Sequence, residues 1–309
     1  MKKKLLCVCL CLCVLTACGA PSAGPGKPRI VATIFPLYDW TRQVLGPRAD
    51  TVDLTLLLDN GTDMHSYQPT VDDMVRISNA DLLIYVGGES DQWIADALEE
   101  ASNSGIRALN LMEILGDALR EETLLPGMEP EAVEETAYDE HIWLSPRNAA
   151  TCCQAIADAL EDMDIVGRDE SGADGYRDQL LELHDRYLNA VRAAPLDTVL
   201  FADRFPFRYL ADDYGLRVYA AFQGCSAETE ASFDTIAFLA AKLDELALPA
   251  VLTTESADGK LAQTIVRTSQ RPDTPVWSMD SMQSGTAPGA DYLSVMEGNL
   301  DVLRRALGA

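Results

Sequence analysis

The chain of 309 residues contains three histidines, and two of them stand in loops without an apolar period. His65 lies in TDMHSYQPT (62–70) and His141 in DEHIWLSP (139–146), each just ahead of a stretch that reads as a helix. Neutral imidazole is the commonest protein ligand for zinc and related metals. Two loop histidines from one half of the chain are therefore half of a candidate metal site, against the plainer reading of surface or capping residues. The third, His184, sits between Leu183 and Tyr187 in a helical repeat and is expected to be structural.

The elements that must position these residues follow from periodicity. From residue 29, apolar runs alternate with amphipathic stretches: RIVATI, PLYDWTRQVLG, VDLTLLL, TVDDMVRISNA, DLLIYVG, DQWIADALEEA and IRALNL. This alternation predicts an α/β fold with a mainly parallel sheet, in which strand-to-helix loops gather at the carboxyl ends of the strands, where ligands bind. The pattern lapses between Leu115 and Asp139 into an acidic loop, expected to be exposed, and a helix resumes at Pro146. Apolar residues at Tyr176, Leu180, Leu183, Tyr187 and Val191 predict one long helix of roughly five turns or more. Beyond Pro195 the alternation restarts through TVLFA, RVYAAF, AVLTT and PVWSM. The expected architecture is two α/β lobes joined by a long helix: 28–168, linking helix 169–195, and 196–309. TIFPLYDW (33–40) and DRFPFRYL (203–210) both place Phe-Pro where a strand hands over to a helix, a hint that the lobes are related copies.

The first eighteen residues carry Lys2, Lys3 and Lys4, an apolar run and small residues ending at Cys18, the form of a secretory signal. LTAC fits a bacterial lipobox, so residues 1–17 are expected to be cleaved and Cys18 to receive lipid. Residues 18–27 then form a tether, and the protein is expected on the extracytoplasmic face of the cell membrane. Of eight cysteines, only Cys152, Cys153 and Cys225 remain beyond that point, which gives no disulfide framework. The net charge is −25 and grows more negative once the three signal lysines leave. Nucleic acid and anionic lipid surfaces are thereby disfavoured as partners, whereas cations are not.

HSYQPT, NADLLIYVGG, EHIWLSPRNA and FRYLADDYGL, in this order and separated by a long helix, resemble the zinc/manganese ABC-transporter substrate-binding lipoproteins over nearly all of the chain beyond the signal. The resemblance implies a C-shaped pair of α/β lobes with a rigid linking helix and the metal in the cleft between them. It places His65 and His141 on the two N-lobe ligands. The family's C-lobe histidine or glutamate falls on Arg204, which has no free acceptor and cannot ligate. Asp203 could substitute if the loop shifts register; Cys225 or Glu228 could reach the cleft from the next loop, leaving Arg204 to pair with a carboxylate such as Glu230; or water could complete the site. The family's fourth position matches Asp280, with Glu255 close by as ligand or support, although either acid could equally begin a helix.

The function so implied is capture of a divalent metal, zinc first and manganese next, and delivery as a monomer to an ABC permease with its ATPase. No enzymatic reaction is expected. Metal affinity should fall as pH drops through the imidazole range. A role for the acidic loop 115–140 in sampling metal is weaker than its reading as a solvated loop. An adhesin role would not require His65 and His141. A secreted metallohydrolase would need an open coordination position and a general base, and no HExxH, Gly-x-Ser-x-Gly or Gly-rich phosphate loop is present. A binder of siderophore or corrinoid would favour aromatic or basic linings over paired imidazoles.

Overall fold

A computed structural model describes residues 26–59, 61–128, 138–167, 170–226, 230–284 and 289–309. Cys18 and its surroundings, residues 129–137 of the acidic loop, and Glu228 lie outside them. No helix among the described residues is long and apolar enough to cross a membrane.

The first sheet is built from β1 (Arg29–Ala32), β2 (Asp53–Leu56), β3 (Leu82–Tyr85) and β4 (Arg107–Asn110), with helices α1 (Phe35–Leu45), α2 (Val71–Ser78), α3 (Trp93–Glu99), α4 (Leu111–Leu115) and α5 (Pro146–Asp162) around them. A single helix, α6 (Ala173–Ala193), leads to the second half. There β5 (Thr198–Phe205), β6 (Arg217–Gln223), β7 (Val251–Thr254) and β8 (Val276–Met279) form the second sheet. Helices α7 (Arg208–Tyr214), α8 (Phe233–Glu245), α9 (Lys260–Thr268) and α10 (Tyr292–Ala306) complete the second half. Both sheets are wholly parallel. Their strand orders, β2-β1-β3-β4 and β6-β5-β7-β8, are the same order repeated. The winding direction reverses beside the first strand of each sheet, which opens a crevice at the carboxyl ends.

Local chemistry explains the helix starts that frame the crevice. Thr70 and Asp73 form a reciprocal capping box at α2, and Ser145 accepts from Asn148 N with Pro146 at the first position of α5. In α6 the buried residues include Tyr176, Leu180, Leu183, Tyr187 and Val191, the stripe read from the sequence. At about 1.5–3 kcal/mol for each fully buried large apolar side chain, this face anchors α6 against α5, α1 and α10. Cys152 and Cys153 are free thiols buried in α5, and burial pushes the Cys152 thiol up to about 12.

Strand β5 departs from expectation. The apolar run ends at Ala202, yet pairing with β6 resumes at Arg204 and Phe205 after a register irregularity between Phe201 and Arg204. An extra residue in one strand redirects the side chains beside it. Here it separates the directions of Asp203 and Arg204.

Candidate metal centre

His65 is presented by a single 3-10 turn, Met64–Ser66, following β2. Asp63 starts that turn by accepting from His65 N at 3.0 Å, while Met64 is buried beneath it. The ring's Nδ1 lies 2.8 Å from Ser90 Oγ and 3.5 Å from Glu140 Oε2. Glu140 in turn accepts from Ser90 N at 2.9 Å. Nδ1 is thus surrounded by acceptors and carries the proton, which leaves the lone pair on Nε2.

His141 is fixed in the same way. Asp139 Oδ1 accepts from His141 N at 2.8 Å and faces His141 Nδ1 at 3.0 Å, so Nε2 again bears the lone pair. Asp139 is held by the Tyr209 hydroxyl, which donates to its carbonyl at 2.7 Å. Glu122, from the acidic loop, reaches in beside it and accepts from Gly224 N at 2.9 Å. Burial raises the carboxyls of Glu122 and Asp139 to about 7 each, and the charge of Asp139 adds to the effect on Glu122. The acidic loop is therefore only partly the exposed segment expected: its base is pinned by the Glu121–Tyr138 bridge, and one of its acids supports the site.

The two Nε2 atoms converge to 3.0 Å, with ring centroids 5.0 Å apart. Two lone pairs so close repel unless a donor or a cation lies between them. In this structure the Gln283 side-chain nitrogen takes that place, 2.8 Å from His65 Nε2 and 2.7 Å from His141 Nε2. Burial, and for His65 also the neighbouring His141, depresses the histidines to about 3 (His65) and about 4 (His141). Both stay neutral at ordinary pH, the form in which imidazole binds metal. Burial thus moves proton competition at these two rings below the ordinary imidazole range.

Gln283 sits on a constrained turn. Met282 adopts φ 57°, the left-handed region that costs a non-glycine residue about 1 kcal/mol or more. Its amide donates to Asp280 Oδ1 at 2.8 Å. Glu255 accepts from Ser281 N and Oγ at 2.7 and 2.8 Å, and Trp143 Nε1 donates to Ser281 O at 2.8 Å across the cleft.

Among the described residues, one set of three His, Cys, Asp or Glu ligand atoms lies mutually within 4.8 Å: His65, His141 and Cys225. Asp280, Glu255 and Asp203 do not join it. Asp280 and Glu255 accept hydrogen bonds from the Ser281–Gln283 turn and line an adjoining cleft of about 590 Å³ with Asp59 and Arg42. Asp203 points the other way from the β5 irregularity, accepting from Thr254 N at 3.0 Å and from the Thr254 hydroxyl, so it ties β5 to β7. Arg204 pairs with Asp63 at 2.7 Å rather than with Glu230. Burial opposes the charge on Asp63, but the Arg204 hydrogen bond and charge prevail and hold that carboxyl below its usual range. His184 lies elsewhere, 3.1 Å from the Tyr214 hydroxyl. Sequence reasoning passed over Asp63 and Asp139, although both histidines stand in an Asp-x-His pattern whose aspartate accepts the histidine's own amide. Gln283 gave no such signal.

The family model for the periplasmic zinc-uptake complex component A, ZnuA, matches residues 30–306. The zinc-binding lipoprotein AdcA of Streptococcus pneumoniae (strain R6) is 30% identical over 317 residues, covering 99% of this chain and 61% of its own length. The chain thus spans about three-fifths of such curated relatives. The high-affinity zinc uptake system protein ZnuA of Bacillus subtilis is 25% identical over 312 residues, covering 95% of this chain and 94% of its own. Among solved structures, the Zn(II)-bound ZnuA-like domain of Streptococcus pneumoniae AdcA superposes with a TM-score of 0.70 at 27% identity, covering 92% of this chain and 100% of that domain.

Proposed function

Because this chain belongs to the zinc-uptake complex component A family, we propose that it captures a divalent transition metal outside the cytoplasmic membrane and passes it to an ABC permease driven by an ATPase. Zinc is the expected cargo and manganese the next candidate. His65 and His141 bind it through Nε2, and the chain is held at the membrane by lipid on Cys18 after removal of residues 1–17. The task is carriage, with no bond made or broken in the cargo.

The convergence of two Nε2 lone pairs at 3.0 Å, that of His141 fully buried, supports this reading. Each ring has its other nitrogen fixed by an acceptor, the arrangement that orients a metal-binding imidazole and raises its basicity. Glu140 beside His65, and Glu122 and Asp139 around His141 once ionised, give the site a field that favours cations. Gln283 must yield for an ion to enter, and its turn belongs to the second half of the chain, so capture is coupled to how the halves meet.

Metal analysis of the purified protein, with competitive titration of zinc against manganese, tests the proposal. One zinc per chain, displacing manganese, is expected. Absence of stoichiometric binding by either metal would overturn it.

A further inference from the structure

We propose that Cys225 is the third protein ligand, so that the C-terminal half contributes sulfur to a site in which the resemblance anticipates nitrogen or oxygen at Arg204. The assignment rests on the reading that His65 and His141 hold the cargo metal.

Geometry comes first. The ligand atoms of His65, His141 and Cys225 lie within 4.8 Å of one another. A tetrahedral zinc with Zn–N near 2.0–2.1 Å and Zn–S near 2.3 Å separates its ligand atoms by about 3.3–3.6 Å. Around an ion the two imidazole nitrogens, 3.0 Å apart, open by a few tenths of an ångström, and the sulfur, within 4.8 Å of both, draws in by at most about 1.2 Å to reach such separations. Cys225 follows β6, and the chain reaches it past Gly224, where a Cβ would lie 2.9 Å from His141 Cε1. Only a residue without a side chain lets the backbone run so close to the ring and deliver the next thiol to the pair.

Among the described residues, the other candidate acids of this half each hold a partner: Asp203 accepts from Thr254, Glu255 from Ser281 and Asp280 from Met282, while Arg204, paired with Asp63, has no lone pair to offer. Cys152 and Cys153, buried in α5, are free, and neither joins the cluster. On coordination the thiol proton leaves to solvent, one Zn–S bond forms, and no electron is transferred.

Ligand type then sets metal choice. Two imidazoles and a thiolate favour zinc, whereas manganese prefers carboxylate, carbonyl and water oxygens. In a site with an oxygen donor the two metals are closer competitors, so Cys225 acts as the specificity-determining residue.

X-ray absorption at the zinc edge of the wild-type protein, loaded with one equivalent, reads the assignment without any mutation: one sulfur scatterer at about 2.3 Å is expected. Cobalt(II) loading should give the near-ultraviolet thiolate-to-cobalt charge-transfer band, lost in Cys225→Ser. In that variant zinc affinity should fall by roughly tenfold or more while manganese affinity stays nearly constant, narrowing the preference. A zinc shell of nitrogen and oxygen alone, with binding still dependent on His65 and His141, would overturn the assignment of Cys225 and leave the proposed function standing. Failure to bind metal at all would overturn both.

Discussion

Alanine at Gly224 places a methyl group against the ring of His141. The added Cβ would lie 2.9 Å from His141 Cε1, 2.9 Å from Phe205 O and 3.1 Å from His141 Nδ1. The two nearest atoms are roughly half an ångström inside the 3.4 Å at which ordinary van der Waals contact begins. Phe205 O belongs to the backbone of β5 and cannot retreat cheaply. The ring of His141 is fully buried and held at Nδ1 by Asp139. Either the ring or the turn carrying Cys225 must give by several tenths of an ångström, beyond the tolerance of about 0.2 Å typical of metal–ligand distances. Disturbing the support of a ligand typically costs about 10–100-fold in metal affinity, or about 1.4–2.7 kcal/mol. Overpacking should also destabilise the metal-free protein by about 1–3 kcal/mol. The assays are zinc titration against a chromophoric chelator and denaturant unfolding in the absence of metal. Gly175→Ala is the control, because nothing lies near its added Cβ and alanine within α6 should stabilise by about 0.5–1 kcal/mol. If Gly224→Ala binds zinc and unfolds as wild type does, the packing of this turn against His141 is wrong.

Nitrogen NMR of the metal-free protein should show His65 and His141 neutral from pH 8 down to pH 5, since their folded values lie at about 3 and about 4 against an ordinary 6.5; titration of either near 6.5 would contradict the burial argument. By linkage, a histidine lowered on folding contributes stability that is complete above 6.5 and drains as pH falls toward its folded value. Asp91, Glu122 and Asp139, raised to about 7, take up protons in the folded state over the same interval and oppose that loss. A double-mutant cycle between Arg204→Ala and Asp63→Ala should give a coupling of about 1–2 kcal/mol for this partly buried charged hydrogen bond. Arg204→Ala alone should keep zinc stoichiometry at one; loss of binding would mean that Arg204 does more than hold the His65 loop. Asp291→Ala removes the capping box of α10 and should cost about 1 kcal/mol in denaturant unfolding, and an unchanged midpoint would contradict the cap.

Much of this architecture was legible because it is periodic. The α6 stripe from Tyr176 to Val191 follows from helical spacing alone, and the parallel sheets follow from the alternation of apolar runs with amphipathic stretches. His65 and His141 stood out because a loop offers an imidazole nothing apolar to pack on. What stayed hidden depends on contacts remote in sequence. The irregularity in β5, which turns Asp203 toward Thr254 and Arg204 toward Asp63, has no local signature in FADRF. Gln283 reaches the histidines from a turn that Asp280 and Glu255 help to hold, and a carboxylate after a strand suits a ligand or a turn-former alike, so the sequence does not distinguish the two roles. Cys225 was one of several possible donors until Gly224 was seen against His141.

The central claim is that His65 and His141 bind the transported metal, and joint replacement tests it most directly. Native mass spectrometry and zinc titration of the His65→Ala/His141→Ala variant, with folding verified by circular dichroism, should show no stoichiometric zinc. One zinc bound per chain at wild-type affinity would contradict the account.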